Sequence, residues 1–305
     1  MDYDAALEVF FAPSPPGVTT PDAVAAATPA RRLRDALEPV AMHAVWSRAT
    51  NAALAERGLN FLTGYVCGRG AALGSVPSAV VAATFAVFEP GLIDQLWTEG
   101  RSHLDLEELI AVRDRATAAS LRDVLGAAAT EADVSRVAES LERAVDGVDG
   151  TGRVLFAALR SRPRPDDPYG RLWRAADLVR EHRGDSHVAA CVAAGLDPVR
   201  MGVLSETWVG YPVGEYSGTR AWPPEVLAAA VARLEADGMI ADGAITDRGR
   251  RFRDDIEAAT DAAQAELIEA LGDRLGALTE ELDGWSKLCV EAGAFPPDIR
   301  KRAAG

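Results

Sequence analysis

The sequence has 305 residues, 48% of them hydrophobic, and a formal net charge of −14. This length accommodates two domains of ordinary size with a sizeable core, which excludes disorder of the whole protein. The acidity disfavours long-range attraction to nucleic acid and to anionic membranes. Because the sequence shows no basic and apolar leader and no apolar run of spanning length, we expect a cytoplasmic protein that makes no membrane contact.

The cysteines Cys67, Cys191 and Cys289 lie far apart and form no C-x-x-C pair. This spacing supports neither a disulfide framework nor a cysteine-rich zinc site. Cys191 follows His187 in an apolar helical pattern, so we expect it to be a core residue.

The hydrophobic spacing predicts a mostly α-helical fold made of an arm, two domains and a linker. Residues 1–28 form the N-terminal arm, with a short helix in the first ten residues. Residues 29–150 form the first helical, winged-helix-like domain. Residues 151–169 are a linker rich in Pro, Arg and Asp, and residues 170–305 form the second winged-helix-like domain.

In the first domain, helical spacing begins at Thr28, passes Pro39 and stops at Gly58. The glycine-rich stretch 64–74 predicts a tight connection between helices. A phosphate-binding loop is the weaker alternative, because no strand precedes the glycines and no GK[ST] follows them. Further helices are predicted at 77–88, 102–126 and 130–146, the last with a capping box from Thr130 and Asp133.

The stretch Arg171–Gly195 predicts a helix, a corner at Gly184 and a second helix capped by Asp185. The corner gathers five polar residues within a short span and is the first candidate for a polar site. These residues are Glu181, His182, Arg183, Asp185 and His187.

The second half carries a winged-helix pattern. A short helix at 196–205 precedes a recognition-type helix at 223–236, a hairpin signal at Asp242-Gly243 and a long helix from Asp247. The segment RLEADGMIADGAITDRGRRFRDDIEAATD resembles the end of MarR-type winged-helix regulators.

Matches at one constant offset between the two halves predict an internal duplication with a small two-stranded wing in each copy. Pro77 matches Pro223, Glu89 matches Glu235 and Gly126 matches Gly272, all at the same offset. Two unrelated helical domains with similar Ala and Leu patterns are the alternative.

Five features over residues 30–290 resemble an uncharacterised actinobacterial helix-turn-helix family described as SalK-like. They are His43 in the first long helix, GLNFLTGYVCGRGAALG, VVAATFAVFEP, RLWRAADLVREHRGDSH and the terminal winged-helix segment. The resemblance implies a fold and no particular reaction.

The recognition-type helix lacks most side chains that read base edges, since it offers only Glu225, Arg233 and Glu235 among Ala, Val and Leu. A helix this apolar is expected to be buried. Arg248, Arg250 and Arg251 could contact phosphate. DNA is therefore a possible but disfavoured partner.

If the halves pack about a pseudo-twofold axis, His43 and the polar corner face one cleft, which suits a flat apolar or aromatic ligand. The aromatic floor of this cleft would be Trp46, Phe61, Tyr65, Phe85 and Trp173. The loop 208–222 is a lid or a ligand wall, or else a surface loop packed by its own aromatic residues. The structural alternative for the corner is helix capping, ion pairing and core histidines.

The sequence therefore predicts binding of a small organic molecule on a tandem winged-helix scaffold, with DNA reading lost or secondary. A MarR-type transcriptional regulator is the first alternative. An enzyme that uses His43, His182 and His187 on an apolar substrate is the second. The spacing of His182 and His187 differs from a helical zinc pair, so no metal is expected. The sequence identifies no cofactor, ligand or oligomeric state.

Overall fold

The computed structural model describes residues 1–18 and 28–304, and this part of the chain is mostly helical. The helices of the first half are α1 (Tyr3–Phe10), α2 (Pro29–Ala41), α3 (His43–Trp46), α4 (Arg48–Ala55), α5 (Phe61–Gly70), α6 (Ser78–Phe85), α7 (Pro90–His103), α8 (Leu106–Leu125) and α9 (Glu131–Gly147). Those of the second half are α10 (Val154–Arg160), α11 (Pro168–Ala193), α12 (Pro198–Trp208), α13 (Pro224–Ala236), α14 (Asp247–Ala262), α15 (Ala265–Leu271), α16 (Leu275–Glu291) and α17 (Ile299–Ala304). Strands β1 (Ile240–Ala241) and β2 (Ala244–Ile245) pair antiparallel, with Ile240 opposite Ile245.

The order predicted for the winged-helix segment is confirmed. Helices α12 and α13 are followed by the β1–β2 hairpin and then by α14, whose first turn Thr246 caps by accepting from the Gly249 amide. Asp242 and Gly243 both have positive φ, as the tight turn between the strands requires. The described residues contain this one sheet only, and no strand follows α6 in the first half. The duplication stays a prediction.

The predicted corner at Gly184 is wrong, because α11 runs through it without a break. Asp185 does cap a helix, but a different one: its Oδ2 accepts a hydrogen bond from the Phe156 amide in the first turn of α10 at 2.9 Å. A glycine inside a helix costs only about 1 kcal/mol relative to alanine. The burial of α11 among α2, α8, α9, α10 and α14 outweighs that cost.

The glycine-rich stretch is also different from the prediction, because its first part is helix α5. Gly70 of this stretch lies where two helices approach closely, and so does Gly100 of α7. A Cβ at Gly70 would stand 2.9 Å from the Trp97 ring, and a Cβ at Gly100 of α7 would stand 2.3 Å from the Cys67 sulfur. Gly70 and Gly100 therefore permit close packing between α5 and α7, and only the end of the stretch, where Gly74 has a positive φ, forms the connection to α6.

The predicted helix at 102–126 spans the end of α7 and all of α8, because the chain is extended at Leu104 and Asp105 then starts a new helix. Its Oδ1 accepts from the Glu107 and Glu108 amides, which caps α8. The capping box of Thr130 and Asp133 at the start of α9 is confirmed.

The largest core cluster draws on residues 33–179 and then on α15 and α16, between 267 and 289. A second cluster, from Cys191 to Ile256, lies within the winged-helix segment and confirms Cys191 as a core residue. A third, aromatic cluster joins the two ends of the chain, because Phe10 of α1 and Phe295 pack with Phe61. This third cluster positions the candidate site.

No single helix among residues 1–18 and 28–304 is long and apolar enough to cross a membrane, although two bent helix pairs meet the length and composition criteria jointly.

Candidate functional site

Two adjoining cavities lie where the chain ends meet α5, α11 and the loop 209–223. The first, which we call the aromatic cavity, has a volume of about 670 Å³. The second, which we call the groove, has a volume of about 920 Å³ and runs between α6, α11 and α12. They share a wall formed by Tyr65, Phe88, Arg180, Tyr216 and Arg220.

Aromatic rings from distant parts of the sequence line the aromatic cavity. The Trp46 ring centroid lies 5.6 Å from both Phe10 and Phe61, and 6.5 Å from Phe295. The Tyr65 ring lies 5.7 Å from Phe88 on the shared wall. Edge-to-face and tilted arrangements at these distances stabilise aromatic clusters and leave ring faces free to contact a flat ligand.

Buried carboxylates neutralise part of the charge in the shared wall. Arg180 contacts Glu38 at 3.2 Å and Glu181 at 2.6 Å. Arg69 binds both carboxylate oxygens of Glu181, at 2.8 and 2.9 Å. Burial alone raises the pKa of Glu181, but Arg69 and Arg180 hold it below its usual value. These pairs leave the wall polar and near neutral at this point.

Two further cations face the aromatic cavity. The Arg220 guanidinium lies over Tyr216 at 4.3 Å and over Phe88 at 4.6 Å from the ring centroids. The Lys301 ammonium of α17 lies 4.6 Å from the Tyr216 ring centroid and 5.0 Å from that of Phe10. Local sequence spacing could not reveal this pair, because the two residues come from different elements far apart in the chain.

The loop that carries Tyr216 and Arg220 is anchored by Glu206 of α12, which is fully buried. One oxygen of Glu206 accepts from the Gly214 amide at 2.7 Å, and the other accepts from the Tyr216 and Ser217 amides at 2.9 and 2.7 Å. The Ser217 hydroxyl also donates to Glu206, at 2.9 Å. Three backbone donors and a hydroxyl thus fix the loop, and sequence reasoning missed Glu206.

The structure divides the predicted site residues among several places. Three of them, Trp46, Phe61 and Tyr65, line the aromatic cavity. Tyr65 also lines the groove, together with Phe85, Glu181, Asp185 and His187. Trp173 lines a third cavity of about 480 Å³ beside Asp177 and Glu181. The remaining three, His43, His182 and Arg183, line none of these cavities.

His43 and His182 are core histidines. His43 is fully buried, its Nε2 lies 2.9 Å from the Ser120 hydroxyl, and burial lowers its pKa to about 4. The Nδ1 of His182 lies 2.7 Å from Gln264 Oε1, and its ring packs edge-on against Phe156 at 4.8 Å. Burial also lowers the pKa of His182. Both rings are therefore held neutral in the interior.

His187 and Asp185 lie on the groove side of α11. His187 Nδ1 lies 3.1 Å from the Thr260 hydroxyl, and burial keeps its pKa well below the usual value. Burial raises the pKa of Asp185 to about 6, against the opposing hydrogen bond from the Phe156 amide. His43, His182 and His187 have separate partners and form no cluster. Among the described residues, no group of three or more His, Cys, Asp or Glu side chains could hold a metal ion.

Arg183 belongs to an ion-pair network in the interior, which we call the arginine cluster. Arg31, Arg183 and Arg253 all contact Glu257, the first and last at 2.8 Å. Burial raises the pKa of Glu257, but the three guanidinium groups outweigh it and hold that pKa well below its usual range. The cluster joins α2, α11 and α14 and accounts for Arg183 without a ligand.

The recognition-type helix α13 is exposed, which corrects the expectation that so apolar a helix is buried. Only Ala230 and Leu234 of this helix are buried. On the exposed face, Arg233 is paired with Asp237 at 3.1 Å. The other charged side chains of that face, Glu225 and Glu235, repel phosphate, so this surface is poorly suited to a DNA groove.

The side chains beside the β1–β2 turn are more basic. Arg248 and Arg251 at the start of α14 are exposed and Arg250 is half-buried. Within the part of the chain that the structure describes, none of the three forms an ion pair. These guanidinium groups are available to a phosphate backbone.

No curated protein and no solved structure matches this chain. A family model described as a helix-turn-helix family matches residues 30–296, which include the lining of the groove and the winged-helix segment. Phe10 and Lys301, which line the aromatic cavity, lie outside the matched residues. The helix-turn-helix part of the predicted resemblance is thereby confirmed, and the chain belongs to this helix-turn-helix family.

Proposed function

We propose that this protein binds a small organic molecule with a flat apolar body in the aromatic cavity. The observation that carries the proposal is a cavity of about 670 Å³ walled by rings that come from both chain ends, α3, α5 and the loop 209–223. Small-ligand sites are concave and mostly apolar, with a few polar groups that orient the ligand. Arg180, Arg220 and Lys301 supply those polar groups.

Native mass spectrometry of the freshly purified protein, with an absorption spectrum of the same sample, tests this function. We expect a bound mass of small-molecule size that disappears in Leu62→Trp, because Leu62 lines the aromatic cavity and an indole would fill it. Leu92→Trp is the matched control, since Leu92 is a partly buried leucine that lines none of the cavities. A bound mass retained by Leu62→Trp would place the ligand elsewhere.

An apo mass alone does not decide the question, so a thermal-shift panel of flat aromatic compounds follows. We expect at least one compound to raise the melting temperature of the wild type and the control, but not of Leu62→Trp. A panel without any such compound, together with an apo mass, would reject the proposal.

The second candidate function is a DNA-binding regulator, of which a MarR-type regulator is the finer form. Family membership and the unpaired arginines beside the wing favour it. The exposed face of α13 lacks base-reading side chains, so we propose that any DNA contact is made through phosphates and that sequence reading is lost or secondary. The division into two domains joined by residues 151–169 stays a prediction, and helix α10 within that segment packs into the largest core cluster.

A salt-dependent titration of duplex DNA separates the two functions. If the wing contacts phosphate, each of Arg248→Gln and Arg251→Gln lowers the slope of log affinity against log salt by about 0.9. Arg233→Gln is the control, because that arginine is already paired with Asp237. Undetectable binding at low salt would eliminate the second candidate.

A further inference from the structure

We infer that the aromatic cavity selects an aromatic carboxylate, with Arg220 and Lys301 as the pair that binds its anionic group, an inference that rests on the proposed function.

Arg220 has a guanidinium with free hydrogen-bonding capacity in the cavity wall. It forms no ion pair with the described residues, and its one side-chain hydrogen bond is a weak one to the Thr219 hydroxyl at 3.3 Å. Its Nε is buried without a partner among the described residues. The rings of Tyr216 and Phe88 pack against the guanidinium and hold it in place. Its remaining N–H groups therefore have no carboxylate partner among the described residues.

Lys301 is a cation in the same cavity, and it also has no ion pair within residues 1–18 and 28–304. The nearest acidic groups are committed elsewhere. Asp298 binds Arg300 at 2.8 Å and accepts from the Tyr211 hydroxyl at 3.0 Å, and Glu215 lies 3.7 Å from Arg300. The Lys301 ammonium faces aromatic rings instead.

These two cations repel each other across the cavity. Burial is the main cause that lowers the pKa of Lys301 to about 8, and Arg220 is the largest charge effect in the same direction. The other charged residues that line the cavity, Glu38 and Arg180, pair with one another. The cavity therefore holds uncompensated positive charge in a chain whose net charge is −14.

A carboxylate on a flat aromatic body satisfies both features of the cavity. Its two oxygens can accept from the guanidinium and the ammonium, which relieves their repulsion and provides charge-assisted hydrogen bonds. Its ring can pack against Trp46, Phe61 and Tyr65. A neutral ligand of the same shape would gain the packing but leave the two cations without a counter-ion.

Isothermal titration of the full chain at pH 7 with naphthalene-2-carboxylate and its neutral isostere naphthalene-2-carboxamide tests the inference. We expect the carboxylate to bind at least about tenfold more tightly than the amide. Arg220→Gln should lower the affinity for the carboxylate by about tenfold or more and leave that for the amide within about twofold. Arg101→Gln is the matched control, because Arg101 also lies over a ring, at 5.5 Å from Trp97, but outside the cavity.

Chemical labelling gives a second readout that needs no variant. Lys287 and Lys301 are the only lysines of the chain, and Lys287 is exposed on α16. Naphthalene-2-carboxylate should slow reductive methylation of Lys301, followed by peptide mass spectrometry, and leave Lys287 unchanged. Lys301→Gln and Lys287→Gln repeat the comparison by titration.

The outcomes separate this inference from the proposed function. Equal affinity for the acid and the amide, both abolished in Leu62→Trp, would overturn the anion inference and leave the proposed function in place. Binding of the acid that Arg220→Gln and Lys301→Gln do not weaken, with no protection of Lys301, would overturn the assignment of the two residues. Failure of both probes to bind would overturn the anion inference, and the compound panel with the native mass would then decide the proposed function.

Discussion

Replacing Glu206 with glutamine tests whether the loop 209–223 is part of the ligand cavity or merely adjacent to it. The substitution keeps the shape of the side chain but changes one carboxylate oxygen into an amide that donates. Each oxygen of Glu206 accepts two hydrogen bonds. With the new amide facing Gly214 and Ser217, the Ser217 hydroxyl can turn to accept, but the Gly214 amide loses its acceptor and the remaining bonds are made to a neutral group. One lost bond to a charged group costs about 1.5–3 kcal/mol and the others weaken, so the loop loses about 3–6 kcal/mol of anchoring.

This loss acts first on the loop, because the rest of the structure does not depend on those amides. The decrease in global stability is limited to the free energy with which the loop docks on α12. Hydrogen exchange at the Gly214, Tyr216 and Ser217 amides is therefore the sensitive assay. A loss of 3 kcal/mol corresponds to exchange that is about 100-fold faster.

The same variant should weaken binding of naphthalene-2-carboxylate by about tenfold or more, since Tyr216 and Arg220 would occupy their cavity positions only part of the time. Glu225→Gln is the control, because Glu225 is an exposed carboxylate just beyond the loop, lines neither cavity and forms no ion pair with the described residues. Faster exchange without weaker binding would show that the loop is not a ligand wall. Unchanged exchange would refute the assigned hydrogen bonds.

Three further outcomes follow from the structure. His182→Ala should lower the free energy of unfolding, measured by urea denaturation, by about 2–4 kcal/mol, because it removes the hydrogen bond to Gln264 and leaves a cavity. Ligand affinity should not change. A change in affinity without a loss of stability would show that His182 belongs to the binding site. Glu257→Gln should destabilise the protein by about 3–5 kcal/mol, because it leaves the buried Arg253 without a carboxylate and leaves Arg31 and Arg183 with one each. It should also flatten the loss of stability that the wild type shows in acid, because the pKa of Glu257 is depressed in the folded state and its protonation costs stability. A variant as stable as the wild type at pH 7 would contradict this. Affinity for naphthalene-2-carboxylate should fall between pH 7 and pH 9.5 as Lys301 loses its proton, and titration of Lys301→Gln should show no such decline.

The pH effect involves groups from each element around Lys301. Arg220 of the loop and Arg300 of α17 lower its pKa, whereas Asp298 and Glu215 raise it. Binding of an anion stabilises the charged amine, so the midpoint in the complex should lie above the value of about 8 for the free protein.

Local signals in the sequence were sufficient for some element boundaries. The capping box at Thr130 and the Asp242-Gly243 turn are decided by residues that are neighbours in the chain, so the structure confirms them. The helix end predicted at Gly184 was wrong, because tertiary packing decides whether a glycine ends a helix or lies inside it, and α11 is surrounded by other helices. The carboxylate of Asp185 had the predicted capping chemistry, but the helix it caps is α10, which sequence spacing cannot identify.

The candidate site was only partly accessible to the same reasoning. Residue type alone pointed to Trp46, Phe61 and Tyr65, which the structure brings to one cavity. Their role in binding stays a prediction. The histidines were predicted as site residues because they are rare in this chain and because an ordinary histidine titrates near neutral pH. In the structure, His43 and His182 are buried in the core and line none of the three cavities. Arg220 and Lys301 could not be recognised as site residues from the sequence, because arginine and lysine are ordinary surface residues.

The loop 209–223 also explains why the two candidate functions need not be separate. Its Arg220 carbonyl accepts from the Glu89 amide at 3.0 Å, and Trp222 donates to the Val87 carbonyl at 2.8 Å, so the loop is tied to the segment after α6. Immediately beyond Trp222, the chain enters the exposed helix α13. A ligand that engages Arg220 therefore acts on the residues that set the start of the recognition-type helix. Coupling between the cavity and a partner on α13 would act through this loop or through the hydrophobic cores on which it packs. Because coupling between two binding sites is reciprocal, a partner bound to α13 would change the affinity for the ligand by the same factor by which the ligand changes the affinity for the partner.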